Sequence, residues 1–207
     1  MAGTQNVFLG AFAGNLNTSG QSNAFVGFSS GQNNTTGNNN TFIGSGSGFA
    51  NAGGFNNAFL GYRAGYFNQT GNSNSFFGSG AGYANQSGAE NTFLGSDAGS
   101  GNTNGTANVF VGILAGATNS TGAGNTMIGS RSGQGNQTAS YNTFLGYQSG
   151  YSTTTGSFNT FIGQSAGYSN TTGLGNLFMG QQAGFGNQGG SYNLFIGNSS
   201  GSANTSG

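Results

Sequence analysis

Asn142-Thr143-Phe144-Leu145-Gly146 is followed 17 residues later by Asn159-Thr160-Phe161-Ile162-Gly163, and the same pattern, Asn-x-Phe-apolar-Gly, fills the chain. It begins at Asn6, Asn23, Asn40, Asn57, Asn74, Asn91, Asn108, Asn125, Asn142, Asn159, Asn176 and Asn193, twelve copies without an insertion or deletion. A coil that stacks in register on its neighbour cannot gain or lose a residue cheaply, whereas a disordered linker has no reason to hold a period. The spacing therefore overrides a composition that alone would suggest disorder, 45 Gly in 207 residues with Asn, Ser and Thr filling much of the rest. Residues 1–207 read as one repeat array.

Numbering each repeat as 17 columns from its Asn exposes the constraints. Column 3 is Phe8, Phe25, Phe42, Phe59, Phe76, Phe93, Phe110, Met127, Phe144, Phe161, Phe178 and Phe195. Column 4 is Leu9, Val26, Ile43, Leu60, Phe77, Leu94, Val111, Ile128, Leu145, Ile162, Met179 and Ile196. Columns 5 and 9 are always Gly and column 8 is always Ala or Ser. Column 12 is Asn except at Thr153, and column 15 is Gly except at Ala139.

Seventeen residues are too few for a pair of helices, and Gly at this density would cost a helix about 1 kcal/mol per residue. Phe flanked by Thr, Val and Ile suits a short extended run, with glycines at the bends. The repeat predicts an all-β solenoid of twelve coils, two short runs in each, stacked about 4.8 Å apart in parallel, in-register ladders roughly 58 Å long. No capping domain is expected at either end. The column 3 rings form the structural core, faced across a narrow interior by the small residues of column 8. The Asn of columns 1 and 12 bond to the Asn above and below, satisfying polar groups at the corners.

Columns 3 and 4 are neighbours, so in a strand they point to opposite faces, yet both are apolar in every copy. If column 3 is inside, column 4 forms an outward stripe of about 600 Å², the upper end of what a soluble monomer leaves bare. The twelve column 4 residues are thus the expected interface with another chain. The alternative is a bulge at the column 5 glycine that turns both side chains inward.

The charged residues are Arg63, Glu90, Asp97 and Arg131 alone, and His and Cys are absent. No imidazole base, thiolate nucleophile or familiar zinc site can be built, and two lone carboxylates make no calcium cage, so no catalysis, metal or cofactor is expected. Two basic residues lack the footprint for a phosphate backbone, which argues against nucleic acid. No apolar run approaches the roughly 20 residues of a membrane helix, so this segment is not expected to enter a bilayer. Met1 to Gln5 have neither the basic region nor the apolar core of a signal peptide, so export would be encoded outside the segment.

The strings Asn142–Gly146 and Asn159–Gly163, the latter followed by Ala166-Gly167, resemble the repeats of YadA-like heads in trimeric autotransporter adhesins. They are still more similar to the Asn-Thr-Phe-Ile-Gly repeats that precede chaperone domains in phage tail fibres and tail-fibre-like bacterial surface proteins. The resemblance covers the whole chain. It implies a left-handed β-roll, three chains side by side, and a place on a cell surface or virion fibre. Two departures stand out: the adhesin head repeat is usually shorter, with smaller residues where Phe stands here, and no stalk, anchor or chaperone domain is present.

Arg63, Asp97 and Arg131 share column 7, two coils apart each time, on what reads as a solvated corner. Tyr62 and Tyr147 in column 6, and Phe49, Tyr66, Tyr83, Tyr151, Tyr168 and Phe185 in column 10, suit chain-to-chain contacts or the stacking of sugar rings. Thr121, Thr138, Thr155 and Thr172 in column 14 suggest an ice-binding hydroxyl array that is interrupted at Gly53, Asn104 and Gly189. Asn17, Asn34, Asn68, Asn85, Asn119, Asn136, Asn170 and Asn204 start formal glycosylation sequences, although turn chemistry favours the same strings. The expected role is mechanical: an extracellular fibre or filament segment whose partner is itself, as a homotrimer or homopolymer. The alternative function is a glycan- or receptor-binding head.

Overall fold

The computed structural model describes residues 3–207; Met1 and Ala2, the first residues of the leader reading, lie outside them. Each repeat is one coil and contributes one strand of three residues at columns 2–4, from β1 (Val7–Leu9) to β12 (Leu194–Ile196). The twelve strands form a single parallel sheet in chain order. Register follows the repeat: Phe8 lies opposite Phe25, Phe25 opposite Phe42, and Met127 between Phe110 and Phe144. Among the described residues there is no helix, and the chain is an all-β parallel solenoid.

The second extended run expected in each copy is not a strand. Columns 8–11 are turns, followed by bends. Their backbones nevertheless bond coil to coil: Gly31 N–H donates to Ser47 O at 2.9 Å, Asn33 N–H to Phe49 O at 3.0 Å and Thr35 N–H to Ala52 O at 2.9 Å. The cause is local conformation. Columns 7 and 9 both take positive φ, as at Arg63 (53°) and Gly65 (59°), which curls this half of the coil too tightly for a strand.

The core is the column 3 ladder. From Phe25 to Phe178 its side chains are 0–1% exposed, and the rings lie 4.7–4.9 Å apart and nearly parallel wherever Phe follows Phe. Core membership weakens at the ends: Phe8 is 38% exposed and Phe195 half-buried, because each has a neighbouring ring on one side only. The column 8 alanines belong to the core as expected, and Ser30, Ser47, Ser132 and Ser149 donate their hydroxyls to the next strand, as Ser30 Oγ does to Phe42 O at 3.0 Å. Column 9 also lies against each ring. A Cβ on Gly65 would overlap the Phe59 ring, so this position needs Gly for space as well as for φ.

The two Asn columns meet at one carbonyl. In the coil beginning at Asn40, Asn40 Nδ2 donates to Gly54 O at 2.8 Å and Asn51 Nδ2 donates to the same oxygen at 3.0 Å. Column 12 runs along the axis amide to amide, Asn51 Nδ2 to Asn34 Oδ1 at 2.7 Å. Column 1 forms the expected amide ladder as well, Asn57 Nδ2 to Asn40 Oδ1 at 3.2 Å, and adds a backbone link to the same oxygen, Asn57 N–H to Asn40 Oδ1 at 3.0 Å. Column 15 explains itself here. Gly54 is not in the left-handed region, but a Cβ on it would overlap Asn51 Oδ1 and Gly71 O.

Candidate functional site

The strand exposes the other half of its alternation. While column 3 is buried, the column 4 residues Ile43, Leu60, Phe77, Leu94, Ile128, Leu145 and Met179 are 37–49% exposed, Val26, Val111 and Ile162 are half-buried, and Leu9 and Ile196 are barer still. The bulge that would have turned both columns inward does not occur: Phe93 is buried while its neighbour Leu94 is exposed. Column 2 shares this outer face, with Val7, Val109, Leu177 and Leu194 among its Thr, Ala and Ser. In column 6, just past the strand, Phe28, Tyr62, Ile113 and Tyr147 are exposed among Ala, Ser, Gln and Asn. Column 4 makes a continuous apolar face along one side of the sheet.

The column 7 charges sit at a left-handed corner, Arg63, Asp97 and Arg131 having φ of 53°, 53° and 58°, and all three are exposed. Arg63 carries its guanidinium 5.1 Å from the Tyr62 ring centre and 5.4 Å from that of Tyr66. The column 10 rings form two ladders, Phe49–Tyr66–Tyr83 and Tyr151–Tyr168–Phe185. The column 14 threonines, Thr121, Thr138, Thr155 and Thr172, are exposed. Six of the eight sequon asparagines are fully buried and only Asn17 and Asn204 are half-buried; Asn34 and Asn68 spend their amide nitrogens on Gly37 O and Gly71 O. A glycan on such an amide would break the corner it holds, so turn chemistry accounts for these strings.

Column 17 escaped the sequence reading. Every one of its residues is left-handed, including Tyr141 (59°), Phe158 (61°) and Tyr192 (59°), conformations that disfavour large side chains. Tyr141 and Phe158 stack at 5.4 Å, and Tyr192 is 82% exposed. The only sequence signal was that aromatic residues recur in this column alongside Gly, Asn and Ser. Among the described residues no group of three or more His, Cys, Asp or Glu could hold a metal ion. No helix among them is long and apolar enough to cross a membrane.

No protein-family model, curated protein or solved structure matches this chain.

Proposed function

We propose that this chain is a structural fibre segment that associates with copies of itself through the column 4 face. The observation that carries this reading is the split within each strand: the aromatic column is sealed inside while an aliphatic column of equal regularity is left facing outward. A fold that needed only its own core would place Thr or Ser in column 4, as column 2 often does. A continuous apolar stripe marks a contact surface. With four charged residues in the whole chain, little like-charge repulsion opposes close packing of copies. Three chains side by side, and a place on a cell surface or virion fibre, rest on the resemblance of the repeats to adhesin heads and tail fibres.

Sedimentation velocity of the wild type against the triple variant Leu145→Asp, Ile162→Asp, Met179→Asp tests the reading. The wild type is expected to sediment as an oligomer and the variant as a monomer with unchanged circular dichroism. A variant that sediments like the wild type would remove the face as the interface. A discrete three-chain species supports a trimer, whereas a mass that keeps rising with concentration supports a filament.

A further inference from the structure

The first column 10 ladder stops abruptly. Phe49, Tyr66 and Tyr83 stack with centroids 4.8 and 5.5 Å apart, but the next two residues of the column are Ser100 and Ala117, so Tyr83 has no ring on its far side. At this step the surface opens into a groove of about 650 Å³, a size typical of small-molecule sites. Tyr62, Arg63, Tyr83, Asp97, Ser100 and Thr118 contribute its polar and aromatic groups. Gly80 stands between Arg63 and Asp97 in column 7, and the Asp97 carboxylate leans over it into the space a side chain there would fill.

The groove thus gathers two of the four charged side chains of the protein, of opposite sign, beside the face of a ring. A cationic ligand would gain from Asp97 and lose to Arg63, and an anionic one the reverse. A neutral ring bearing several hydroxyls suits both, since it can donate to the carboxylate and accept from the guanidinium while its C–H face lies on the tyrosine. Two of the lining hydroxyls are committed as donors, Thr118 Oγ1 to Gln134 O at 2.6 Å and Ser100 Oγ to Ala117 O at 3.4 Å, which leaves their lone pairs to accept from a ligand.

We propose that this groove binds a neutral pyranose, stacked on Tyr83 in the place of the next column 10 ring, with hydroxyls donating to Asp97 and accepting from Arg63. No column 4 residue lines the groove, although Tyr62 of column 6 does. Saturation-transfer NMR of the full chain with methyl glucoside, methyl mannoside and methyl galactoside, each at millimolar concentration, tests it. Transfer to the ring C–H protons of at least one glycoside is expected, with Kd raised at least tenfold in Tyr83→Ala and in Asp97→Asn. Ser100→Tyr supplies the fourth ring from within the protein, as the second ladder shows this column can accept, and is expected to abolish transfer without lowering Tm. No transfer from the wild type to any of the three glycosides, or undiminished transfer with Ser100→Tyr, overturns the proposal. So does a change in oligomer size, with glycoside binding unaltered, in Tyr83→Ala, since the groove would then be a chain contact.

Discussion

At the scale of the residue, the two departures from the corner pattern explain each other. A Cβ at column 15 would meet the column 12 Asn Oδ1 of its own coil, the next column 15 carbonyl and also the amide nitrogen of the next column 12 Asn, as at Gly105, where Asn119 Nδ2 stands 2.7 Å from such a Cβ. Ala139 carries that Cβ, and the next column 12 residue is Thr153, which has no amide nitrogen. The compensation leaves Asn136 Oδ1 and Thr153 Oγ1 buried without partners, each a defect that typically costs about 1–3 kcal/mol. Thr153→Asn alone should therefore destabilise by collision with Ala139, whereas Ala139→Gly with Thr153→Asn should complete the ladder and exceed wild-type stability by about 1–3 kcal/mol. Denaturant unfolding of the four members of the cycle measures the coupling, and additive single effects would contradict the steric account. Arg131 is exposed at φ 58°, a conformation in which Asn is less strained than a long side chain. Arg131→Asn should raise stability by about 0.5–1 kcal/mol in the same assay.

At the scale of the element, each strand is only three residues long, too short to persist alone, so its order comes from the strands above and below and from the ring it buries. Met127 interrupts the aromatic stack between Phe110 and Phe144. A Cβ on Gly133 would overlap the Met127 thioether just as a Cβ on the other column 9 glycines would overlap their rings, so Met127 fills the place of a ring in the ladder. Met127→Phe should join two aromatic runs and add about 0.5–1.5 kcal/mol, while Phe93→Ala should remove about 3–5 kcal/mol; thermal unfolding reads both. Much at this scale was legible beforehand: Phe93 in and Leu94 out follow from strand alternation, and Asn51 in an axial ladder follows from strict spacing. What stayed hidden was conformation without a composition signal. Arg63 and Tyr141 occupy left-handed corners although neither is a turn-forming residue, because the stacked coils impose the corner on whatever side chain stands there. The groove beside Tyr83 was hidden for another reason: it is defined by what Gly80, Ser100 and Gly101 lack, across two coils, and small residues are common everywhere in this chain.

At the scale of the whole molecule, contacts run only between successive coils, so stability is close to a sum of nearest-neighbour terms. Deleting residues 91–107, one whole period, joins Glu90 to Asn108 and preserves every column. The shortened chain should keep the circular dichroism of the parent and unfold slightly more easily, whereas deleting Ala107 alone should shift all later columns out of register and lose the folded signal of at least the adjoining coils. Equal tolerance of both deletions would mean that register is not what holds the stack. One further consequence lies in the direction of the backbone bonds. Within a coil some N–H groups point toward the following coil, as Gly31 does to Ser47, and others toward the preceding one, as Ser29 does to Ala11. A helix aligns all its peptide dipoles and so carries opposite partial charges at its two tips. Here the opposed orientations offset one another only in part: in the coil from Asn23, Ala24, Gly31, Asn33, Thr35, Thr36 and Gly37 donate forward while Gly27, Ser29 and Asn39 donate backward, so a remainder of polarity runs along the rod and leaves the surplus of N–H groups directed toward its C-terminal tip.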